Sequence, residues 1–301
     1  MSRPLRIGTR GSALARAQAS LVADMLGGAE LVTIATSGDR GAGAQDKSRW
    51  VDAIEAALQD GEVDLAVHSA KDVPGQLGDG LVLVGAPPRA DPRDALCGAP
   101  SLDGLAEGAR VGTSSLRRRA ALLALRGDLE VVALRGNVDT RLRKLAEGET
   151  DAVVLARAGL DRLGRAEAAG GMLEIDAMVP APGQGTLALE ARVGDGRARE
   201  AGERIGDART MACLRAERAL VEALDATCHT PVGAHARLSG DAMEIHAFVG
   251  LPDGSGWARD ELTGATADPE RLGLECAQRL LAAGAGELLR RAETLTRSAE
   301  G

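Results

Sequence analysis

Three places in this sequence set basic and hydroxyl side chains where a β-strand would hand over to a helix, and that combination is the chemistry of anion binding. They are Thr9-Arg10-Gly11-Ser12, Gly112-Thr113-Ser114-Ser115-Leu116-Arg117-Arg118-Arg119 and Leu134-Arg135-Gly136-Asn137-Val138-Asp139-Thr140-Arg141. Backbone N–H groups and hydroxyls converge at a helix start and favour a negative ligand. Arginines placed there oppose the helix macrodipole, at roughly a few tenths of a kcal/mol each, unless an anion is present. A single such arginine is ordinarily a solvated surface charge; three junctions of this kind point to a ligand. Guanidinium forks suit carboxylate and phosphate equally. The charge is also focused. Between Arg110 and Lys144 nine basic residues stand against three acidic ones, +6 inside a chain of net −8, which leaves −14 for the remainder. Such a balance excludes general attraction to nucleic acid or to an anionic membrane and leaves a local site for a polyanion.

Two further residues could carry chemistry. Asp72, in His68-Ser69-Ala70-Lys71-Asp72-Val73-Pro74, is as consistent with a surface ion pair to Lys71 as with a carboxylate in a cleft. In the second case it serves as general acid or base, or as counter-charge to a cationic intermediate. Cys228 lies in the polar turn Asp225-Ala226-Thr227-Cys228-His229-Thr230-Pro231-Val232-Gly233, whereas cysteine is more at home in a core. A buried inert thiol, a covalent anchoring point and a nucleophile paired with His229 all remain open. Cys97, Cys213, Cys228 and Cys276 are far apart and form no CxxC pair, so neither a zinc site nor a disulfide framework is expected, and no metal.

These residues need a scaffold. A chain of 301 residues exceeds what one core usually supports, which implies two or three domains. Hydrophobic content is 45%, yet there is no Tyr, one Phe and two Trp, so the cores are aliphatic and base-stacking platforms are missing. The N-terminus carries no apolar signal core and no run approaches the roughly 18 residues that span a bilayer, so a cytoplasmic location is expected.

Strand-like runs at 5–9, 31–35, 64–68, 111, 130–134 and 152–156 alternate with amphipathic helices at 12–25, 48–59, 115–125 and 138–147. In the first helix Leu14, Ala17, Leu21 and Met25 share a face. The alternation predicts parallel-rich sheets covered by helices. Ala86-Pro87-Pro88-Arg89 and Val179-Pro180-Ala181-Pro182-Gly183 read as crossings between domains. From about Asp207 a long helix, short strands at 234–238, 244–249 and 256–262 and a closing helix at 269–282 predict a smaller α+β domain. The expected division is 1–86 with 186–203, then 91–180, then 207–301.

In order along the chain the residues resemble the porphobilinogen deaminase family. The resemblance runs through Ile7-Gly8-Thr9-Arg10-Gly11-Ser12, Asp64 to Pro74, Asp91-Pro92-Arg93-Asp94-Ala95, Val111 to Arg118, Leu134 to Val138, Gly183-Gln184-Gly185 and Cys228 to Gly233. It implies an α/β fold of two periplasmic-binding-protein-like lobes plus a small C-terminal α+β domain, in a monomer. It also implies a transferase that joins four porphobilinogen molecules head to tail into hydroxymethylbilane with loss of ammonia. The primer would be a dipyrromethane cofactor held by a thioether to Cys228. By the same resemblance Lys71, Ser69, Thr113, Ser115, Arg117, Arg118 and Gln184 hold the cofactor, while Arg10, Ser12, Arg135, Arg141 and Arg162 guide substrate. Asp72 is then the catalytic carboxylate, able to protonate the departing amine and balance the cation it leaves. Each pyrrole unit bears an acetate and a propionate, a load of carboxylates that the arginine cluster answers.

The sequence departs from the family pattern twice. The family's longer Gly-Gly-Lys-Gly-aromatic loop is replaced by the short segment 41–50, with Lys47 and Trp50 as its remaining functional residues, and Ala226-Thr227 stands where glycine often precedes the cysteine. Two other readings compete: a non-catalytic polycarboxylate binder, which gives Cys228 no role, and a cysteine hydrolase using Cys228 and His229. Intact mass separates them, because only the deaminase carries an added dipyrrole.

Overall fold

The computed structural model describes residues 3–36, 51–226 and 230–300. The chain runs β1 (Arg6–Arg10), α1 (Ala13–Met25), β2 (Glu30–Ile34), α2 (Asp52–Gln59), β3 (Leu65–Ser69), β4 (Leu81–Gly85) and β5 (Asp94–Cys97). It continues through β6 (Arg110–Gly112), α3 (Leu116–Leu125), β7 (Glu130–Val132), α4 (Val138–Ala146), β8 (Ala152–Ala156), α5 (Arg157–Arg162) and β9 (Gly171–Leu173). Then come β10 (Leu187–Arg192), α6 (Gly196–Ile205), α7 (Ala208–Ala223), β11 (Val232–Ser239), β12 (Ala242–Gly250), β13 (Trp257–Ala265), α8 (Pro269–Ala282) and α9 (Ala285–Glu300). Two compact units result, 1–90 with 185–212, and 91–184 with 213–301.

The first unit is an α/β lobe with strand order β2-β1-β3-β10-β4. Strands β1, β2 and β3 are parallel, and β10 pairs antiparallel with β3 and β4. In the second unit the order β7-β6-β8-β5-β9 repeats this scheme, with three parallel strands and then β5 antiparallel to both neighbours. The central strands are apolar along their length, Leu65-Ala66-Val67 in β3 and Ala152-Val153-Val154-Leu155 in β8, because helices cover both faces of each sheet. In the first lobe Ile7, Leu65, Val67 and Leu189 pack with Val22 of α1 on one side, and Ala66 packs with Ile54 and Leu58 of α2 on the other. Each such aliphatic side chain contributes about 1.5–3 kcal/mol.

A third sheet, β11-β12-β13, is wholly antiparallel and is packed by α8 and α9. This small α+β domain shares a core with the second lobe. The one phenylalanine of the chain, Phe248 on β12, is 1% exposed and lies in the same cluster as Leu122 of α3 and Val154 of β8.

The structure corrects the sequence reading in three respects. The sheets are mixed, since β10 in the first lobe and β5 in the second each run antiparallel to both neighbours, reversals that periodicity did not reveal. Helix α1 buries Gln18, Ala19, Val22 and Ala23, leaving Leu21 and Met25 exposed. Small side chains at 19 and 23 let the helix approach the sheet closely, and that rotates the larger apolar stripe outward. A further helix, α9, follows the one expected to close the chain. The predicted start of α2 near Ser48, together with Lys47 and Trp50, lies outside the described residues.

Candidate active site

In the first lobe the site grows from the β1–α1 junction and the end of β3. Ser12 caps α1, its Oγ accepting from the Ala15 N–H at 3.2 Å, while the buried Thr9 hydroxyl donates to the Ala15 carbonyl at 3.1 Å. Gln18 on α1 donates to Ser69 Oγ at 3.0 Å, which fixes the helix against the strand end. Beyond Ser69 the chain makes a single 3-10 turn, Ala70–Asp72. One pocket is lined by Arg10, Ser12, Gln18, His68, Ser69 and Asp72. Four residues assigned to the site from sequence therefore meet there: Arg10, Ser12, Ser69 and Asp72. Asp72 is half-buried and forms no ion pair with Lys71 or any other cation among the described residues. The surface-pair reading of Asp72 thus finds no partner.

The second lobe gathers the arginines around a buried carboxylate that sequence reasoning left without a role. Asp94, at the start of β5, is fully buried. Arg117 Nη2 donates to its Oδ2 at 2.7 Å, and Arg118 Nη2 and Nε donate to its Oδ1 at 2.7 and 3.1 Å. Gln184 Nε2 adds a bond to Oδ1 at 2.9 Å and another to the Pro92 carbonyl at 2.7 Å. The remaining arms of Arg117 and Arg118 donate to the Val179 and Val154 carbonyls, both at 2.8 Å. Burial alone would raise the Asp94 carboxyl, but the two guanidiniums outweigh it and hold the group well below the usual carboxylate range. The anion demanded by arginines at the start of α3 is thus partly internal.

It is only partly so, because two guanidiniums face one carboxylate. Arg117 Nε is buried with no partner, and burial, opposed by Asp94, lowers the Arg117 pKa. Arg141, on α4, makes no ion pair among the described residues and its Nε is likewise buried and unpartnered. Burial, reinforced by the charge of Arg118, pushes its guanidinium down to about 10. Arg162 at the end of α5 is also lowered to about 10 by burial, against the pull of Asp161. A cation withdrawn from water with less than a full counter-charge is costly, and that is the position of Arg117 and Arg141. These residues therefore fit a ligand carrying several carboxylates, as a dipyrromethane does.

Local geometry supports the same cluster. Thr113 is buried and its Oγ1 accepts from the Ser115 N–H at 3.2 Å; Ser115 caps α3 through the Arg118 N–H at 3.4 Å. At the third junction Arg135 is exposed, Gly136 has φ +121° and Asn137 caps α4 through the Thr140 N–H at 2.9 Å. A Cβ at Gly136 would lie 2.6 Å from Thr140 Cγ2, so only glycine serves there.

Cys228 and His229 lie outside the described residues. Cys97, Cys213 and Cys276 are buried and unbridged, and burial pushes the Cys97 and Cys276 thiols up to about 11 and about 12, away from nucleophilic use. Among the described residues one group could bring metal-ligand atoms together, Glu244, His246 and Glu261 on β12 and β13, but Arg237 already holds Glu244 at 2.7 Å. It reads as an ion-pair cluster.

Fold and site together define an α/β protein with an acid-bearing pocket in one lobe and an undercompensated arginine cluster in the other, suited to chemistry on a polycarboxylate. Comparison with known proteins agrees. The family model described as "Porphobilinogen deaminase, dipyromethane cofactor binding domain" matches residues 5–200, and the corresponding C-terminal domain matches 211–282. The porphobilinogen deaminase of Trichlorobacter lovleyi is 46% identical over 297 residues, covering 95% of each chain. That of Roseiflexus castenholzii is 46% identical over 302 residues, covering 96% of this chain and 99% of its own. The chain belongs to the porphobilinogen deaminase family. Among solved structures, an arginine-specific periplasmic binding protein of Salmonella typhimurium covers 68% of this chain and 92% of its own, at 14% identity and a TM-score of 0.39. That likeness is too remote to bear on ligand or function. No helix among the described residues is long and apolar enough to cross a membrane.

Proposed function

We propose that this chain joins four porphobilinogen molecules head to tail into hydroxymethylbilane, releasing one ammonia per molecule, from a dipyrromethane attached to Cys228. The observation that carries this reading is the surplus of buried positive charge around Asp94, with Arg141 lacking any counter-charge among the described residues. When bound, the dipyrromethane supplies the primer to which substrate pyrroles are joined.

The protein's own part is positioning and charge. Arg117, Arg118, Thr113, Ser115, Gln184, Ser69 and Lys71 hold primer carboxylates, each charge-assisted hydrogen bond contributing about 1.5–3 kcal/mol. Arg10, Ser12, Arg135, Arg141 and Arg162 guide incoming substrate. Asp72 keeps the departing amine protonated and balances the cation left on the pyrrole, in a pocket lined also by Ser12, Ser69 and Arg10. The protein works as a cytoplasmic monomer, with 207–301 as the domain that carries Cys228.

The deciding experiment is intact mass with turnover. Wild-type protein should carry one added dipyrrole and release ammonia from porphobilinogen, and Cys228→Ser should remain folded, unmodified and inactive. A fully active, unmodified protein, wild type or variant, overturns the assignment.

A further inference from the structure

The Asp72 mechanism leaves unused a second acidic group in the same lobe. β3 pairs with β10 so that His68 faces Ala188 and Ala66 faces Glu190, which puts His68 and Glu190 diagonally on one face of the sheet. His68 Nε2 lies 3.0 Å from Glu190 Oε2, and the two residues are 5% and 0% exposed. Glu190 Oε1 is buried with no partner. Glu55 of α2 completes the group: burial first, and then the charge of Glu190, hold its carboxyl above the usual range, while His68 draws it down. A carboxylate with no exposure requires a compensating charge or proton, and His68 is the basic group beside it. The His68 ring also lines the Asp72 pocket, and among the described residues its Nδ1 has no hydrogen bond. The charged groups around this ring are Glu190 of β10, in contact with it, Glu55 of α2, which feels its charge, and Arg10 of β1 and Asp72 of the turn after β3, which line the same pocket.

We propose that Glu190 and His68 form a buried carboxylate–imidazole pair that discharges Asp72 between condensations; this rests on the deaminase reading. In each condensation the C–N bond breaks with its electron pair leaving on ammonia, and a C–C bond forms to the next pyrrole. The attacking ring carbon then loses its hydrogen as a proton. Asp72 takes that proton; His68 lines the same pocket without a hydrogen bond to Asp72 among the described residues, so its Nδ1 takes the proton across that pocket when the two side chains close on each other, and solvent takes it from His68, with no further reactant needed. Glu190 fixes the ring through Nε2–H, leaves Nδ1 as the accepting atom and stabilises the imidazolium while it lasts. His68 is a positioning residue, acting on substrate through Asp72.

The test uses holoenzyme of wild type, Glu190→Gln and His68→Gln, with dipyrromethane content by mass, single-turnover rates across pH, and 15N spectra of the histidine rings, of which the chain has four. All three proteins should carry the cofactor. Both variants should react about 10- to 100-fold more slowly. The acid limb of the rate profile should move to lower pH in Glu190→Gln, where the imidazolium loses its counter-charge, and vanish in His68→Gln. The spectra should show His68 protonated at Nε2 in neutral wild type. Profiles that superimpose on wild type after scaling, or a ring protonated at Nδ1 instead, overturn the relay. If Glu190→Gln fails to fold or load, the His68→Gln profile decides alone. A wild-type protein that releases no ammonia removes the deaminase reading and the relay together, whereas active wild type with unmoved profiles removes only the relay.

Discussion

In the first lobe the third parallel strand, β3, ends in a turn that leaves Asp72 without a cationic partner among the described residues, in a pocket shared with an imidazole. In the second lobe, built on the same strand order, the antiparallel strand β5 begins with a carboxylate locked between Arg117 and Arg118. One sheet thus presents an acid with no ion-pair partner among the described residues, and the other presents cations locked around a buried carboxylate. Proton chemistry needs a group within reach of the reacting atoms and open to its surroundings. Holding a growing polycarboxylate needs permanent charge that is already oriented, so that little order is lost on binding. The two sheets meet these opposite demands with one topology.

The fixed half of this contrast should break most severely. Asp94→Asn strips the compensating charge from two buried guanidiniums, and breaking a buried pair of this kind costs about 3–5 kcal/mol. The carboxyl is depressed in the folded state, so its contribution is fully present above the unfolded value of about 4 and is lost as pH falls through the folded value. Denaturant titration at pH 7 should therefore show the largest gap between wild type and variant, and the gap should narrow in strong acid. A variant as stable as wild type at pH 7 would mean that the Asp94 cluster is not an energetic centre of the lobe.

The unpartnered acid should break in rate and not in stability. Asp72→Asn keeps shape but removes the negative charge, a loss of about 3–4 kcal/mol in the transition state, or about 100- to 1,000-fold in single-turnover rate. Asp72→Glu keeps the charge and should retain more. Melting temperatures of both cofactor-loaded variants should stay near wild type, because Asp72 holds no ion-pair partner among the described residues. Equal rates for Asp72→Asn and wild type would move the catalytic carboxylate elsewhere.

Arg141 sharpens the comparison by the sign of its effect. As a half-buried cation with a buried Nε and no counter-charge among the described residues, it should strain the apo-protein and be relieved by an anion. Arg141→Leu should accordingly raise the melting temperature of apo-protein while slowing chain elongation, with about 1.5–3 kcal/mol of carboxylate binding lost. A variant less stable as apo-protein and unaltered in elongation would assign Arg141 to packing.

The sequence disclosed the junctions better than the partners. Ser12, Ser115 and Asn137 are N-caps with their hydrogen bonds in place, because capping is decided within four residues. Asp94 was legible only as part of a motif, since its partnership with Arg117 and Arg118 spans 23 and 24 residues and depends on how β5 enters the sheet. Glu190 left a signal that could have been used: it is the lone acid in the apolar strand Leu187-Ala188-Leu189-Glu190-Ala191, and a charge there must be buried and matched. The rotation of α1 was not legible, because Leu21 and Met25 make the larger apolar stripe while Ala19 and Ala23 make the closer contact.

The smallest effect belongs to Asp64, the first lobe's counterpart to Asp94. It precedes β3 and accepts from the Arg6 backbone N–H at 2.9 Å and from Arg6 Nη2 at 2.8 Å, with Arg3 at 3.3 Å. Burial opposes the shift, but the hydrogen bonds and charge of Arg6 bring the carboxyl down to about 2. Its stabilisation is therefore present above about pH 4 and disappears as pH falls toward 2. Asp64 is buried, but Arg3 is exposed and Arg6 partly so, which lets solvent screen the pairs, so Asp64→Asn should cost about 1 kcal/mol at pH 7, less than Asp94→Asn. Added salt should shrink the Asp64 effect and leave the Asp94 effect nearly intact, since screening acts on exposed charges. Denaturant midpoints of the two variants at low and high salt give the answer: equal salt sensitivity would mean that the Asp94 cluster is as solvated as the Asp64 pair, and the contrast between a centre buried with its arginines and one whose arginines reach solvent would fail.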